Sequence, residues 1–181
     1  MSKAVLMSIQ PKWCELIASG KKTVEVRKTK PKLETPFKVY IYCTKDEPMY
    51  RSGEKFWCKT VGDFGNGKVI GEFVCDRIDY VRNYGDCVDS YDCIASCLSA
   101  NEIIEYAKDK DGNFIYTYGW HISNLVIYDK PKELSAFRRA CPDNVYSCAM
   151  CRHGNFTGMK CTPIKRPPQS WCYVEEGEDN E

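Results

Sequence analysis

Residues 20 to 28 read "GKKTVEVRK" and put Lys22, Glu25 and Arg27 within six positions of one another. Alternation along a strand sets Thr23, Glu25 and Arg27 on one face and Val24 and Val26 on the other. The valines suit a core, so the charged row faces either solvent or a ligand. Arg27 offers a planar fork for a phosphate or a base edge, and Lys22 a mobile point charge. Glu25 can accept from the exocyclic amine of a base. Two neighbouring cations favour its ionised form, which suits binding better than proton transfer. The plainer alternative is an exposed pair bracing a strand, contributing less than about 1 kcal/mol.

Trp120 and His121 lie in "YGWHISN" and, as strand neighbours, point to opposite faces. Either one facing a cleft has a use there: Trp120 to stack a base, His121 to carry a proton. The alternatives are a core tryptophan and a surface histidine. With two histidines in the chain and no serine, histidine and acid set at a known spacing, serine-hydrolase chemistry has no support. Neither a P-loop nor a dinucleotide fingerprint is present.

Cys141, Cys148, Cys151 and Cys161 fall within "CPDNVYSCAMCRHGNFTGMKC", spaced C-x(6)-C-x(2)-C-x(9)-C. The stretch has too few aliphatic residues for a core of its own. Four thiolates in a short irregular segment match a tetrahedral structural zinc, the C-x(2)-C pair supplying two ligands from one hairpin. His153 is a possible substitute ligand, an iron–sulfur cluster would also accept four thiolates, and unligated thiols are the alternative to both. A closed zinc knuckle would hold Arg152, Lys160, Lys165 and Arg166 on a rigid basic surface without catalysing. The other eight cysteines are scattered and suit small buried positions.

The chain has 181 residues, 43% hydrophobic and 13% aromatic, with a net charge of +1. The near-neutrality conceals an asymmetry. The last seven residues, "EEGEDNE", hold five acids, so residues 1–174 carry 26 bases against 20 acids, or +6. Residues 21–32 and 138–168 each hold six bases and one acid. Clustered bases are the footprint of a phosphate-bearing partner or a solvated charged face. No apolar run approaches the roughly 20 residues of a membrane helix, and "MSKAVLMSIQ" lacks a signal peptide's apolar region. The expectation is a cytoplasmic protein with reduced cysteines.

These side chains need elements to hold them. "KAVLMSI" reads as a strand, and Pro11 with Trp13, Leu16 and Ile17 as a short helix stopped by Gly20. "KTVEVRK" and "FKVYIYCT" are further strands. Residues 45–66 lose periodicity, and their aromatic residues fit a lid or a binding loop. "KVIGEFVCDRIDYV" is a long strand with a bend at Gly71. Residues 82–98 give no assignment. Ser99 and Glu102 form a capping box before a helix, "GNFIYTYGWHISNLVIYDKP" gives one or two strands, "KELSAFRRA" a helical turn and "QSWCYVEE" a closing strand. The fold class is α+β, mainly β: a small, mostly antiparallel barrel with short helices at its rim. Residues 1–137 and 165–175 form the barrel, 138–164 the cysteine-rich insertion and 176–181 an acidic tail.

"SIQPKWCELIASGKKTVEVRK" resembles the signature of the ASCH domain family. Gly20, Lys22, Glu25 and Arg27 fill its four fixed places, G-x-K-x-x-E-x-R. "VIGEF", "YGWHISNL" and "RPPQSWCYVE" are similar to its later strands, as in small bacterial and phage members. The resemblance implies a PUA-like barrel with a cleft lined by the motif, and a role in RNA or nucleotide-ligand binding. Some relatives are amidohydrolases acting on acetylated cytidine and others have a suggested ribonuclease activity, so an enzyme using the same cleft is the alternative. In the amidohydrolases the chemistry belongs to a lysine, a threonine and a distant glutamate. Lys22 matches the lysine and is the candidate catalytic residue, Glu25 stands in the threonine's place, and Glu102 is a candidate for the third.

Overall fold

A computed structural model describes residues 3–45, 66–81, 88–140 and 163–176, together with the backbone of 49–51 and 54–56. Strands β1 (Lys3–Ile9), β2 (Val24–Arg27), β3 (Phe37–Cys43), β6 (Val69–Tyr80), β7 (Tyr118–Lys132) and β8 (Trp171–Glu175) form one sheet in the order β2-β7-β6-β3-β1-β8. Strands β4 (Met49–Arg51) and β5 (Glu54–Phe56) make a separate hairpin. Around the sheet lie helices α1 (Pro11–Ala18), α2 (Ser90–Ser96) and α3 (Ala100–Tyr106) and a 3-10 turn at Leu134–Ala136.

The mainly-β expectation is met, with one difference in topology. β1 pairs parallel to β3, and all other pairings are antiparallel. β1 is apolar on both faces because both are covered, as parallel strands require. Val5, Met7 and Ile9 enter a core with Val39, Ile41, Phe73 and Trp120, while Ala4 and Leu6 pack with Tyr40, Tyr42, Phe137 and Ile164. A third cluster joins Val26 of β2 and Val81 to Ile103 and Ile104 of α3.

The sheet curls until its edge strands β2 and β8 approach, but side chains rather than a backbone ladder close the gap. Trp171 Nε1 donates to Thr29 Oγ1 at 3.0 Å, the Lys32 amide donates to the Tyr173 hydroxyl at 2.8 Å, and Arg27 Nη1 reaches Ser170 Oγ at 3.4 Å. The result is a half-barrel with a seam. Gly71 belongs to the curl. β6 shifts register beside it, and a Cβ there would lie 2.3 Å from the Val126 carbonyl oxygen.

Residues without a sequence assignment contribute α2, capped by Asp89, whose carboxylate accepts from the Tyr91 amide at 2.8 Å. "GNFIYTYGWHISNLVIYDKP" gives a single strand of 15 residues, because Asn124 takes a left-handed φ of 46° inside it rather than ending it. Of residues 45–66, read as a lid or a binding loop, the two end residues and the backbone of the hairpin are described, and the remainder lies outside the described residues. So do Cys141, Cys148, Cys151, Cys161 and His153. Among the described residues no helix is long and apolar enough to cross a membrane.

Candidate functional site

Gly20 ends α1 at φ 73°, and the Lys22 amide then donates to Leu16 O at 2.9 Å. This turn rolls Lys22 inward before β2 begins, leaving Thr23 exposed. Glu25 and Arg27 project from the same face of β2 as Trp120 of β7, its cross-strand partner, which is the inner face of the half-barrel. The valines point the other way, Val26 into the cluster with α3. Both faces of β2 are therefore buried, and the charged row is internal. Lys22, Glu25 and Arg27 are 2%, 6% and 9% exposed.

Within this triad Lys22 Nζ lies 3.3 Å from Glu25 Oε2, and Arg27 Nη2 lies 2.9 Å from Glu25 Oε1. Each cation also holds a backbone carbonyl. Lys22 Nζ donates to Ser96 O at 2.6 Å and Arg27 Nη2 to Ser8 O at 2.6 Å. Two buried cations against one carboxylate leave an excess of one positive charge. The buried Arg27 Nε has no hydrogen-bond partner among the described residues. An uncompensated buried cation is costly, so the site favours an anionic or strongly accepting ligand.

The triad opens into a cleft of about 430 Å³, lined also by Trp13, Glu102, Tyr106 and Gln169. Neither Trp13 nor Tyr106 is given a site role by the sequence, where Trp13 reads as part of a short helix's apolar stripe and Tyr106 carries no signal. Here they are aromatic walls. Lys22 Nζ lies 5.1 Å from the Trp13 ring centroid, and Lys28 Nζ lies 5.2 Å from that of Tyr106. Burial pushes the Tyr106 hydroxyl up, leaving it a neutral donor at physiological pH.

Glu102 lines the cleft mouth, but its Oε2 accepts from the Ser99 amide and Ser99 Oγ, both at 2.8 Å. The bonds from Ser99 hold its carboxyl below the usual range, which suits a cap rather than a general base. Trp120 is fully buried, edge-on to Phe37 at 5.7 Å between centroids and 5.9 Å from Trp171, and does not line the cleft. His121 points to the opposite face. Its Nε2 lies 3.1 Å from Asp79 Oδ2 and 3.2 Å from Arg77 Nη2, in a second hollow shared with Asp89 and Asp92. The fold thus brings Lys22, Glu25, Arg27 and Glu102 together and leaves Trp120 and His121 outside.

A model of the ASCH domain matches residues 7–129. The chain belongs to the ASCH domain family. This ASCH chain is similar to the crystal structure of ASCH from Zymomonas mobilis, at 19% identity and a TM-score of 0.49, over 96% of this chain and 88% of that one. A point mutant of the same Zymomonas mobilis protein is similar at 18% identity and a TM-score of 0.49, over 97% and 92%. No curated protein matches. Among the described residues of the ASCH chain no three histidine, cysteine or acidic side chains converge on a metal position.

Proposed function

We propose that this ASCH chain binds RNA or a nucleotide-derived ligand in the cleft formed by Lys22, Glu25 and Arg27. The observation carrying the reading is the buried triad with its excess positive charge and an Arg27 Nε that has no hydrogen-bond partner among the described residues. Arg27 and Lys22 take an anionic or carbonyl edge, Glu25 orients both cations and accepts from a base amine, and Trp13 and Tyr106 flank the base. The site acts as a receptor. Its two carboxylates are already engaged, Glu25 by two cations and Glu102 by its helix cap, which leaves neither well suited to abstract a proton.

Cys141, Cys148, Cys151 and Cys161 hold a structural zinc in the same reading, supported by their spacing. The chain leaves and rejoins the barrel at one place, since the Ile164 amide donates to Phe137 O at 2.8 Å and a bridge joins Arg138 to Pro163. A knuckle between those points would add basic surface beside the half-barrel.

Native mass spectrometry with nucleosides, nucleotides and short RNAs tests both parts. The expected result is a mass excess of one zinc and a nucleotide or RNA adduct. Arg27→Lys keeps the charge but loses the fork and should weaken that adduct by about tenfold or more. An adduct unchanged in both Arg27→Lys and Tyr106→Ala would overturn the cleft assignment. Consumption of acetylated cytidine, lost in Lys22→Ala, would replace it with an enzyme.

A further inference from the structure

The triad sits at one end of a row that crosses three strands. Arg27 of β2 faces Tyr118 of β7, and Tyr118 faces Tyr80 of β6, so all three project from one face of the sheet. Tyr80 packs against Tyr118 at 5.1 Å between centroids and against Tyr116 at 5.6 Å. The rings become more open with distance from Arg27. Tyr118 is half-buried, whereas Tyr80 is 56% and Tyr116 78% exposed. Lys30, just past β2, sets its ammonium 5.4 Å from the Tyr118 centroid and 5.7 Å from that of Tyr80. Among the described residues it has no carboxylate partner. Three exposed or half-exposed tyrosines in contact, with an unneutralised lysine over two of them, have no evident use in folding.

Resting on the reading of the cleft above, we propose that the Tyr118–Tyr80–Tyr116 row with Lys30 is a stacking track for a single strand of RNA, one nucleotide of which occupies the cleft. The ligand is then a polymer segment rather than a mononucleotide. Successive bases stack on the tyrosine faces while Lys30 takes a phosphate, the combination of aromatic platform and cation that binds single strands without reading their sequence. Charge sets where the track ends. Tyr80 borders the hollow lined by Asp79, Asp89 and Asp92 against one arginine, Arg77, which pairs with Asp79 at 2.8 Å, so the acids outnumber the base and the hollow repels a phosphate backbone.

The test measures binding of a labelled octanucleotide of A and U, and of UMP as a competitor, to the full chain and to Tyr116→Ala, Lys30→Ala and Arg27→Lys. The first two side chains are exposed, so these variants should fold, as circular dichroism would check. Expected are roughly five- to hundredfold weaker octamer binding in Tyr116→Ala, a salt slope smaller by about one in Lys30→Ala, and unchanged UMP binding in both. Arg27→Lys should weaken both ligands. Octamer binding unaltered in both track variants would overturn the track and leave the cleft standing. Octamer binding that needs Tyr116 and Lys30 but not Arg27 would keep the track and overturn the cleft. No binding of octamer or UMP would remove both. Equal binding of the matching DNA octamer would support the track while denying it selectivity for ribose, and preference for duplex RNA would overturn it.

Discussion

Glu25 is the residue on which the interior of this molecule turns, since among the described residues it is the one carboxylate paired with both Lys22 and Arg27. Glu25→Gln should therefore cost about 3–5 kcal/mol in urea unfolding, because it leaves two buried cations without a counter-charge. Adding an anionic ligand should restore part of that loss. A second residue-scale expectation concerns Cys75, whose thiol burial pushes up to about 12. In the native protein at pH 8 it should escape iodoacetamide, and mass spectrometry should find it alkylated only after unfolding. Lys22, Glu25 and Arg27 were legible in the sequence, as was the face that Glu25 and Arg27 share, whereas alternation grouped Thr23 with them and the turn after Gly20 brings Lys22 inward instead. Their direction was not, because alternation says which residues share a face and nothing about which face becomes the interior. Trp120 shows the same limit: the sequence left a stacking platform and a core position both open, and the register with Glu25 puts it in the core.

At the scale of elements, α3 is read most completely from sequence. Its capping box forms as the Ser99 and Glu102 spacing predicts, the Glu102 amide donating to Ser99 Oγ at 3.3 Å. Ser99→Ala should cost about 1 kcal/mol by thermal or urea unfolding. The pH dependence has a definite sign. The Glu102 carboxyl is held below its ordinary value of 4.5 in the folded chain, so its contribution is complete above that value and is lost as pH falls through the lower folded value. The stability gap between the native chain and Glu102→Gln should therefore be constant near neutrality and close in acid. α2 was not legible because seven residues are too few to show a period and, unlike α3 of the same length, it has no Ser and Glu capping box to mark its start, its cap on Asp89 being evident only once the chain is folded. The tyrosine row was hidden for another reason. Tyr116 and Tyr118 are near neighbours in the chain, but Tyr80 belongs to a separate segment, and only the β6–β7 register brings it against them.

For the whole molecule, the net charge of +1 understates what an approaching polyanion meets. Residues 177–181 include Glu178, Asp179 and Glu181, so deleting them raises the net charge to +4. The proposed RNA binding should tighten in low salt on that deletion, and the gain should fade as ionic strength rises, as salt-titrated anisotropy would record. The mainly-β class was readable from short alternating segments, while the parallel β1–β3 pair and the open seam were not, because strand order is set by long-range packing. The seam has its own consequence for how the molecule opens. β2 and β8 are held to each other by Trp171, Tyr173 and Arg27 side chains and not by a shared ladder. Their free-edge amides should exchange with deuterium well before those of β3 and β6 in the middle of the sheet. A ligand drawn against Arg27 from the Gln169 side would tie the two edges together. It should slow exchange at β2 and β8 in concert, giving a signature of occupancy that needs no knowledge of what the ligand is.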